Sequence, residues 1–223
     1  MRLTALALAA AFVTTTAVAQ DADRSVADGG IKVSGWQGRV DRRPASQGKT
    51  IADSKFSAID GGFRISVGPA GNFWNPAHTA SGDYTVKATF KEHKMATSHP
   101  HSYGIFIGGT DLTSDTEKLL YCIAYGDGTY ALKTFHGAKV TTLVNREASS
   151  ALHKAGESGE ATNEVSWQVK GGKASCALNG TVVKTFDKGE VVAADKLTSL
   201  DGVYGIRVSH NLELTVTGFD KGY

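Results

Sequence analysis

Proline is nearly missing from this chain: 4 residues in 223, against 26 glycines. Proline removes a ladder donor and glycine reaches positive φ, so this balance suits many strands joined by glycine turns. Neither sign of charge dominates, with 24 Lys and Arg against 22 Asp and Glu. No basic stripe appears either, which argues against a nucleic-acid surface. Beyond residue 19 no apolar run is long enough to span a bilayer as a helix, so no membrane span is expected in the mature chain. No Gly-x-Ser-x-Gly elbow occurs, and nothing repeats at a fixed period, which argues against a propeller. Cysteine is limited to Cys122 and Cys176. Each shares a face with small apolar neighbours, Leu120 and Ala124 for one, Ala174 and Leu178 for the other. Two readings stay open: one disulfide, as an oxidising compartment allows, or two buried thiols.

The N-terminus carries a different signal. Arg2 precedes an uncharged run, Leu3 to Ala19, with an apolar centre at Ala5–Val13 and an Ala17-Val18-Ala19 ending. That pattern reads as a secretory signal peptide, residues 1–19, cut before Gln20. A secreted or periplasmic protein follows, with a flexible polar leader over residues 20–30 and one domain over 31–223. About 200 mature residues suit a single β-sandwich or barrel.

The stretch around which the domain is organised is Val165 to Phe186, VSWQVKGGKASCALNGTVVKTF. Asn163, Val165, Trp167 and Val169 alternate with Glu164, Ser166, Gln168 and Lys170, the period of a half-buried antiparallel strand. Gly171-Gly172 and Asn179-Gly180 are two-residue hairpin signals, and Ala174, Cys176 and Leu178 repeat the apolar face between them. The same alternation marks Phe63 to Val67, Tyr84 to Phe90, Tyr204 to Val208, and Leu212 to Val216. Tyr103 to Gly108 and the pair Lys118–Tyr125 and Thr129–Phe135 add further strands. Ten to twelve short strands with almost no helix predict two antiparallel sheets packed face to face, or a barrel. Two interruptions, 145–162 and 188–201, have weak helical character, with a short helix expected within Arg146 to Lys154.

Residues that bear chemistry fall between these strands. Gly68 to Gly82 reads as a turn-rich loop carrying Phe73, Trp74, Asn75 and His78; Trp74 there is either a sugar-stacking platform or a plug at one end of the core. His93, His99 and His101 lie within nine residues and raise a metal reading, but no cysteine or carboxylate stands at a recognised ligand spacing, so no metal is expected. Asp111, Asp115 and Glu117 form an acidic turn without the EF-hand pattern and read as a solvated turn. No cofactor motif was found.

The order of YGIFIG, the YCIAYGDGTYAL hairpin, the Trp167 strand, the LNG turn, GVYGIRV and the closing LTVTGF strand resembles the concanavalin A-like lectin/glucanase superfamily over Tyr84 to Phe219. Within it, the chain resembles laminin-G-like and DUF1080-type (3-keto-disaccharide hydrolase-like) jelly rolls. The resemblance implies an all-β, two-sheet jelly-roll sandwich with a concave sheet that commonly receives a glycan. The glycanase branch carries Glu-x-Asp-x-x-Glu on one strand, and that spacing is absent here; Glu164 and Glu213 stand alone on different strands. The reading is therefore a non-catalytic, exported carbohydrate-binding domain with a glycan partner. Its candidate contacts are Trp74 and Tyr125 for stacking, with Asn75, His99, His101, Arg207, His210 and Asn211 for hydrogen bonding. The alternatives are a DUF1080-type glycoside hydrolase using Glu164 or a loop carboxylate, and a structural or protein-interaction domain of the cell envelope.

Overall fold

The computed structural model describes residues 21–222. The signal-peptide reading lies outside the described residues. Strands run in chain order as β1 (Gly30–Ile31), β2 (Gln37–Val40), β3 (Lys55–Ile59), β4 (Gly62–Ser66), β5 (Gly71–Ala80), β6 (Tyr84–Glu92), β7 (Ser102–Thr110), β8 (Lys118–Tyr125), β9 (Thr129–His136), β10 (Lys139–Ala148), β11 (Ala161–Lys170), β12 (Lys173–Leu178), β13 (Thr181–Asp187), β14 (Gly202–Val208) and β15 (Glu213–Gly222). Two short α-helices, α1 (Arg42–Ser46) and α2 (Lys188–Val191), and a 3-10 turn at Ile51–Asp53 interrupt them, and no helix among the described residues is long and apolar enough to cross a membrane.

The strands form two sheets. One has eight strands in the order β1-β3-β4-β15-β6-β11-β12-β13; the other has seven, β10-β9-β8-β7-β14-β5-β2. All named pairings are antiparallel except the two-residue β1 against β3. The meander β11-β12-β13 forms with the two predicted turns; Trp167 lies opposite Cys176, and the Asn179-Gly180 turn has positive φ in both residues (47° and 79°). Two successive residues at positive φ match the twist of the flanking strands, which is why Asn-Gly closes this hairpin.

The alternating residues meet between the sheets. Val86, Phe90, Val165, Trp167, Ile206, Leu214 and Val216 are all fully buried in one cluster. Two ties cross it side by side. Cys122 of β8 and Cys176 of β12 are joined by a disulfide, with Cα atoms 6.4 Å apart. Next to it, Trp167 Nε1 donates to the Ile105 carbonyl at 3.1 Å. Trp167 pairs in register with Cys176, and Ile105 with Cys122, so both links join the same two points of opposite sheets.

Several sequence expectations change. The predicted loop at 68–82 is mostly strand β5; Phe73 faces the core and Trp74 the opposite side of the same sheet. Turn-forming Gly71, Asn72, Asn75 and Pro76 masked the strand there. No helix forms in 146–154: β10 continues to Ala148, with Glu147 opposite Tyr130. The chain after it is held instead by asparagine side chains. Asn179 Nδ2 donates to the Ala151 carbonyl (2.7 Å), and Asn163 Oδ1 accepts from the His153 amide (2.7 Å). The leader makes long-range bonds to the rest of the domain. Arg24 donates to the carbonyls of Val67 and Leu212, both at 2.8 Å, and Val26 N donates to the Asp53 carbonyl at 2.9 Å. Long-range contacts of this kind leave no trace in local periodicity.

Candidate functional site

The outer face of the seven-stranded sheet is unusual in what it carries. Because Ile206 and Val208 point to the core, Arg207 points outward; by the same alternation Asn72 and Trp74 of β5, Tyr121 and Ile123 of β8, and Ala131, Lys133 and Phe135 of β9 share that side. Trp74, Phe106, Leu119, Tyr121, Ile123, Ala131 and Phe135 join Leu112 in a second apolar cluster, separate from the core between the sheets. Gly205 makes room for it: a Cβ there would lie 2.6 Å from the Phe106 ring and 2.4 Å from the Phe73 carbonyl.

A polar centre stands in this apolar face. Arg207, 8% exposed, is clamped by both carboxylate oxygens of Asp41, at 2.5 and 2.6 Å. Its Nη1 also reaches Asn72 Oδ1 at 3.3 Å. The guanidinium carbon lies 5.0 Å from the Phe135 ring centre and 5.3 Å from that of Tyr121. Asn72 donates in turn to Glu117 at 3.4 Å, and Arg39 pairs with Glu117 (3.2 Å) and with Asp115. Burial raises the Glu117 pKa, against the lowering effects of Arg39 and Arg207. Charge-assisted, bidentate pairs of this kind hold their groups in one geometry.

Two cavities flank Asp41. One, of about 280 Å³, is lined by Asp41, Arg42, Arg43, Glu117, Phe135 and Val140 among others. The larger, of about 440 Å³, shares Asp41 and Arg43 and is completed by Asp21, Asp23, Gln47, Lys49 and His210. Helix α1 builds the wall between them: it follows β2 directly, and the buried Pro44 anchors it while Arg43 and Gln47 stay exposed.

The eight sequence-predicted contacts separate into groups. His99, His101 and His210 come together at the end of the β7–β14 pair, with ring centres 4.3 to 6.1 Å apart. Asn211 joins them indirectly, donating to the Asp21 carboxylate and the Ala22 carbonyl of the leader. Burial first, then His210 and His99, lower the His101 pKa to about 4. Arg207 lies in the polar centre just described. Trp74 is 3% exposed, so it packs in the outer apolar cluster and offers no open stacking face. Asn75, on β5, turns its carboxamide oxygen to the Ala77 amide at 3.0 Å. Tyr125 is half-buried, with Arg146 over its ring at 4.2 Å. His93 is apart from the other histidines, bound to Arg64 (2.6 Å) and Thr215 (2.8 Å). The acidic turn is not wholly solvated, since Glu117 is 4% exposed. Asp41, Asn72, Glu117 and Arg39 were not among the predicted contacts. Asp41 and Arg39 fall in a charged stretch without periodicity, and only the sheet order places them beside Arg207. The carboxylates Glu164 and Glu213 belong to the eight-stranded sheet; Glu164 pairs with Lys87 at 3.6 Å, and Glu213 with Arg24 and Arg64.

Comparison with known proteins now adds the fold's place. By sequence, the chain matches no family model and no curated protein. By structure, it superposes on carbohydrate-binding module CBM66 from Bacillus subtilis with a TM-score of 0.57, at 7% identity, covering 86% of this chain and 98% of that one. A Bacillus subtilis protein described as having a galectin-like fold gives 0.57 at 14% identity, over 83% and 88%. The fold is the concanavalin A-like jelly roll. A family 16 endo-glucanase from Bacteroides ovatus aligns with this jelly roll at 0.51 and 8% identity, over 82% and 81%. At such identities the likeness extends to the fold and transfers no residue roles.

Proposed function

We propose that the protein is a non-catalytic carbohydrate-binding jelly roll whose glycan lies across Asp41, along the two adjoining cavities. The observation that carries this reading is a cavity in which Asp41 and Glu117, each held by an arginine behind it, stand beside Phe135 and Val140. Sugar recognition needs a few fixed donors and acceptors for hydroxyls beside apolar surface for C–H faces, and the cavity lining offers Asp41, Glu117, Arg42 and Arg43 beside Phe135 and Val140. The exposed Arg42, Arg43 and Gln47 of α1 give the rim further hydrogen-bonding groups. The structural neighbours include a carbohydrate-binding module and a glycan hydrolase, which supports a glycan over other ligands.

The test is isothermal titration against a panel of oligosaccharides, repeated with Arg43→Ala and Gln47→Ala. Saturable binding weakened several-fold by either variant is expected. Absence of binding to every glycan at millimolar concentration opposes the reading.

One observation favours a second reading, a glycoside-active enzyme. Asp41 and Glu117 line one cavity, and glycosidic hydrolysis uses two carboxyl groups across the scissile bond. Each is engaged by an arginine, however, so neither stands ready as acid or nucleophile without breaking an ion pair. Release of reducing ends from a bound glycan, abolished by Glu117→Gln, would establish catalysis in place of simple binding.

A further inference from the structure

The three histidines at the end of the seven-stranded sheet have features a solvated loop does not need. Their register explains the meeting. Ser102 and Ser209 bond to each other across β7 and β14, through Ser209 N to the Ser102 carbonyl and Ser102 N to Ser209 Oγ. Carrying that pairing one residue further sets His101 opposite His210. His99, two residues upstream, reaches the same point, so one ring nitrogen from each of the three lies within 4.8 Å of the other two. Among the described residues this is the one convergence of three or more metal-ligating side chains.

His101 is 3% exposed, and its Nε2 is buried without a hydrogen-bond partner. A buried nitrogen left without a partner is destabilising, so its position calls for a ligand. His210 is oriented from behind. Its Nδ1 lies 2.7 Å from Asp23 Oδ1, which directs the free Nε2 lone pair away from the carboxylate. A carboxylate behind an imidazole is the usual outer support of a zinc-bound histidine. The Asp21 carboxylate lies 3.9 Å from His101 Nε2, beside the triad but outside its 4.8 Å group, and it accepts from Asn211, so a short shift would bring it in as a fourth donor.

We infer that His99, His101 and His210, with Asp21 as fourth ligand and Asp23 supporting His210, form a site for one divalent transition-metal ion of the zinc class. Three imidazoles and one carboxylate make the borderline-soft, four-coordinate set that Zn²⁺ takes. Bonds of about 2.1 Å require ligand nitrogens about 3.4 Å apart around a tetrahedral ion. The three nitrogens lie within 4.8 Å of one another, so they must close in by up to about 1.4 Å, and the exposed His99 is the ring placed to move. The ion joins the leader, through Asp21, to the β7–β14 end of the sheet, and it forms part of the wall of the larger cavity through His210. The inference stands without the glycan reading, because it needs neither Arg207 nor α1.

The experiment uses the protein without a polyhistidine tag, stripped with a chelator and dialysed. Zn²⁺ is titrated calorimetrically, and Co²⁺ replaces it for visible spectroscopy. One ion per chain is expected, with the intense visible bands of four-coordinate Co²⁺. His99→Ala is the primary variant, since an exposed residue can be removed without threatening the fold; loss of more than about 100-fold in affinity is expected, beyond the range of an outer-shell change. Asp23→Asn should cost about 10- to 100-fold. His93→Ala, which lies outside the cluster, should bind as the parent does. Absence of saturable binding overturns the assignment, as does His99→Ala binding with unchanged affinity or loss of binding in His93→Ala. Loss of Zn²⁺ binding with glycan binding intact would separate this site from the sugar-binding centre.

Discussion

Glu92 ends strand β6 with its side chain wholly enclosed, and neither carboxylate oxygen has a hydrogen-bond partner. Gly126 permits this approach: a Cβ at that position would lie 2.4 Å from Glu92 Oε2. Burial, and to a smaller degree the charge of Asp127, raise the Glu92 pKa from 4.5 to about 7. The folded state therefore holds this proton more tightly than the unfolded chain. Between about pH 4.5 and 7 the folded protein binds more protons, so this group's contribution to stability falls as pH rises, and it is flat outside that window. The gap amounts to roughly 3 kcal/mol at pH 8. Glu92→Gln keeps the shape and removes the ionisation, so the variant should be more stable than the parent by about 2–3 kcal/mol at pH 8 and nearly equal to it at pH 4.5. His101 works in the opposite sense. Its folded pKa of about 4 lies below the ordinary 6.5, so its contribution is lost as pH falls through that interval. The two slopes overlap in the parent, and the difference between parent and Glu92→Gln isolates the carboxyl. Urea denaturation followed by tryptophan fluorescence, at half-unit steps from pH 4.5 to 8.5, measures it. A pH-independent difference, or a variant less stable at pH 8, refutes the reasoning.

Three other outcomes follow from the fold. The disulfide between Cys122 and Cys176 closes a 54-residue separation, so the Cys122→Ala, Cys176→Ala double variant should lose about 4 kcal/mol of stability on the chain-entropy account, read from its denaturation midpoint. Asp41→Ala leaves Arg207 buried without its counter-ion, and a loss of about 3–5 kcal/mol is expected in the same assay; a loss below about 1 kcal/mol would show that the guanidinium is not held by this pair. Arg24→Ala removes the bonds to Val67 and Leu212 and the ion pair to Glu213, so limited proteolysis should cut within residues 21–30 of the variant well before it cuts the parent.

Much of the architecture was legible because a strand writes its burial into every second residue. Tyr84, Val86, Ala88 and Phe90, or Val165, Trp167 and Val169, each declare an inner face without help from the rest of the chain. The tight turns were legible for the same local reason, since Asn179-Gly180 needs only its own φ angles. Strand β5 was missed because Gly71, Asn72, Asn75 and Pro76 carry turn propensity that sheet pairing on both sides overrides. The bonds of Arg24 could not be read locally, because its partners lie some 40 to 190 residues away.

The candidate sites show the same division more sharply. The sequence named Arg207, His99, His101 and His210 as chemistry-bearing residues, and its alternation put Arg207 on an outward face. Nothing local pairs Arg207 with Asp41, which is 166 positions away, or exchanges His93 for His210 in the histidine cluster. On its own, the amino-acid order determined half-buried strands with a greasy inner face, as a sandwich or a barrel, since side-chain alternation is a property of each strand alone. Which strands lie side by side was decided only on folding, when the β7–β14 and β14–β5 pairings brought distant residues onto one surface; the positions of the charges and imidazoles relative to one another depend on that order, and no short-range pattern encodes it.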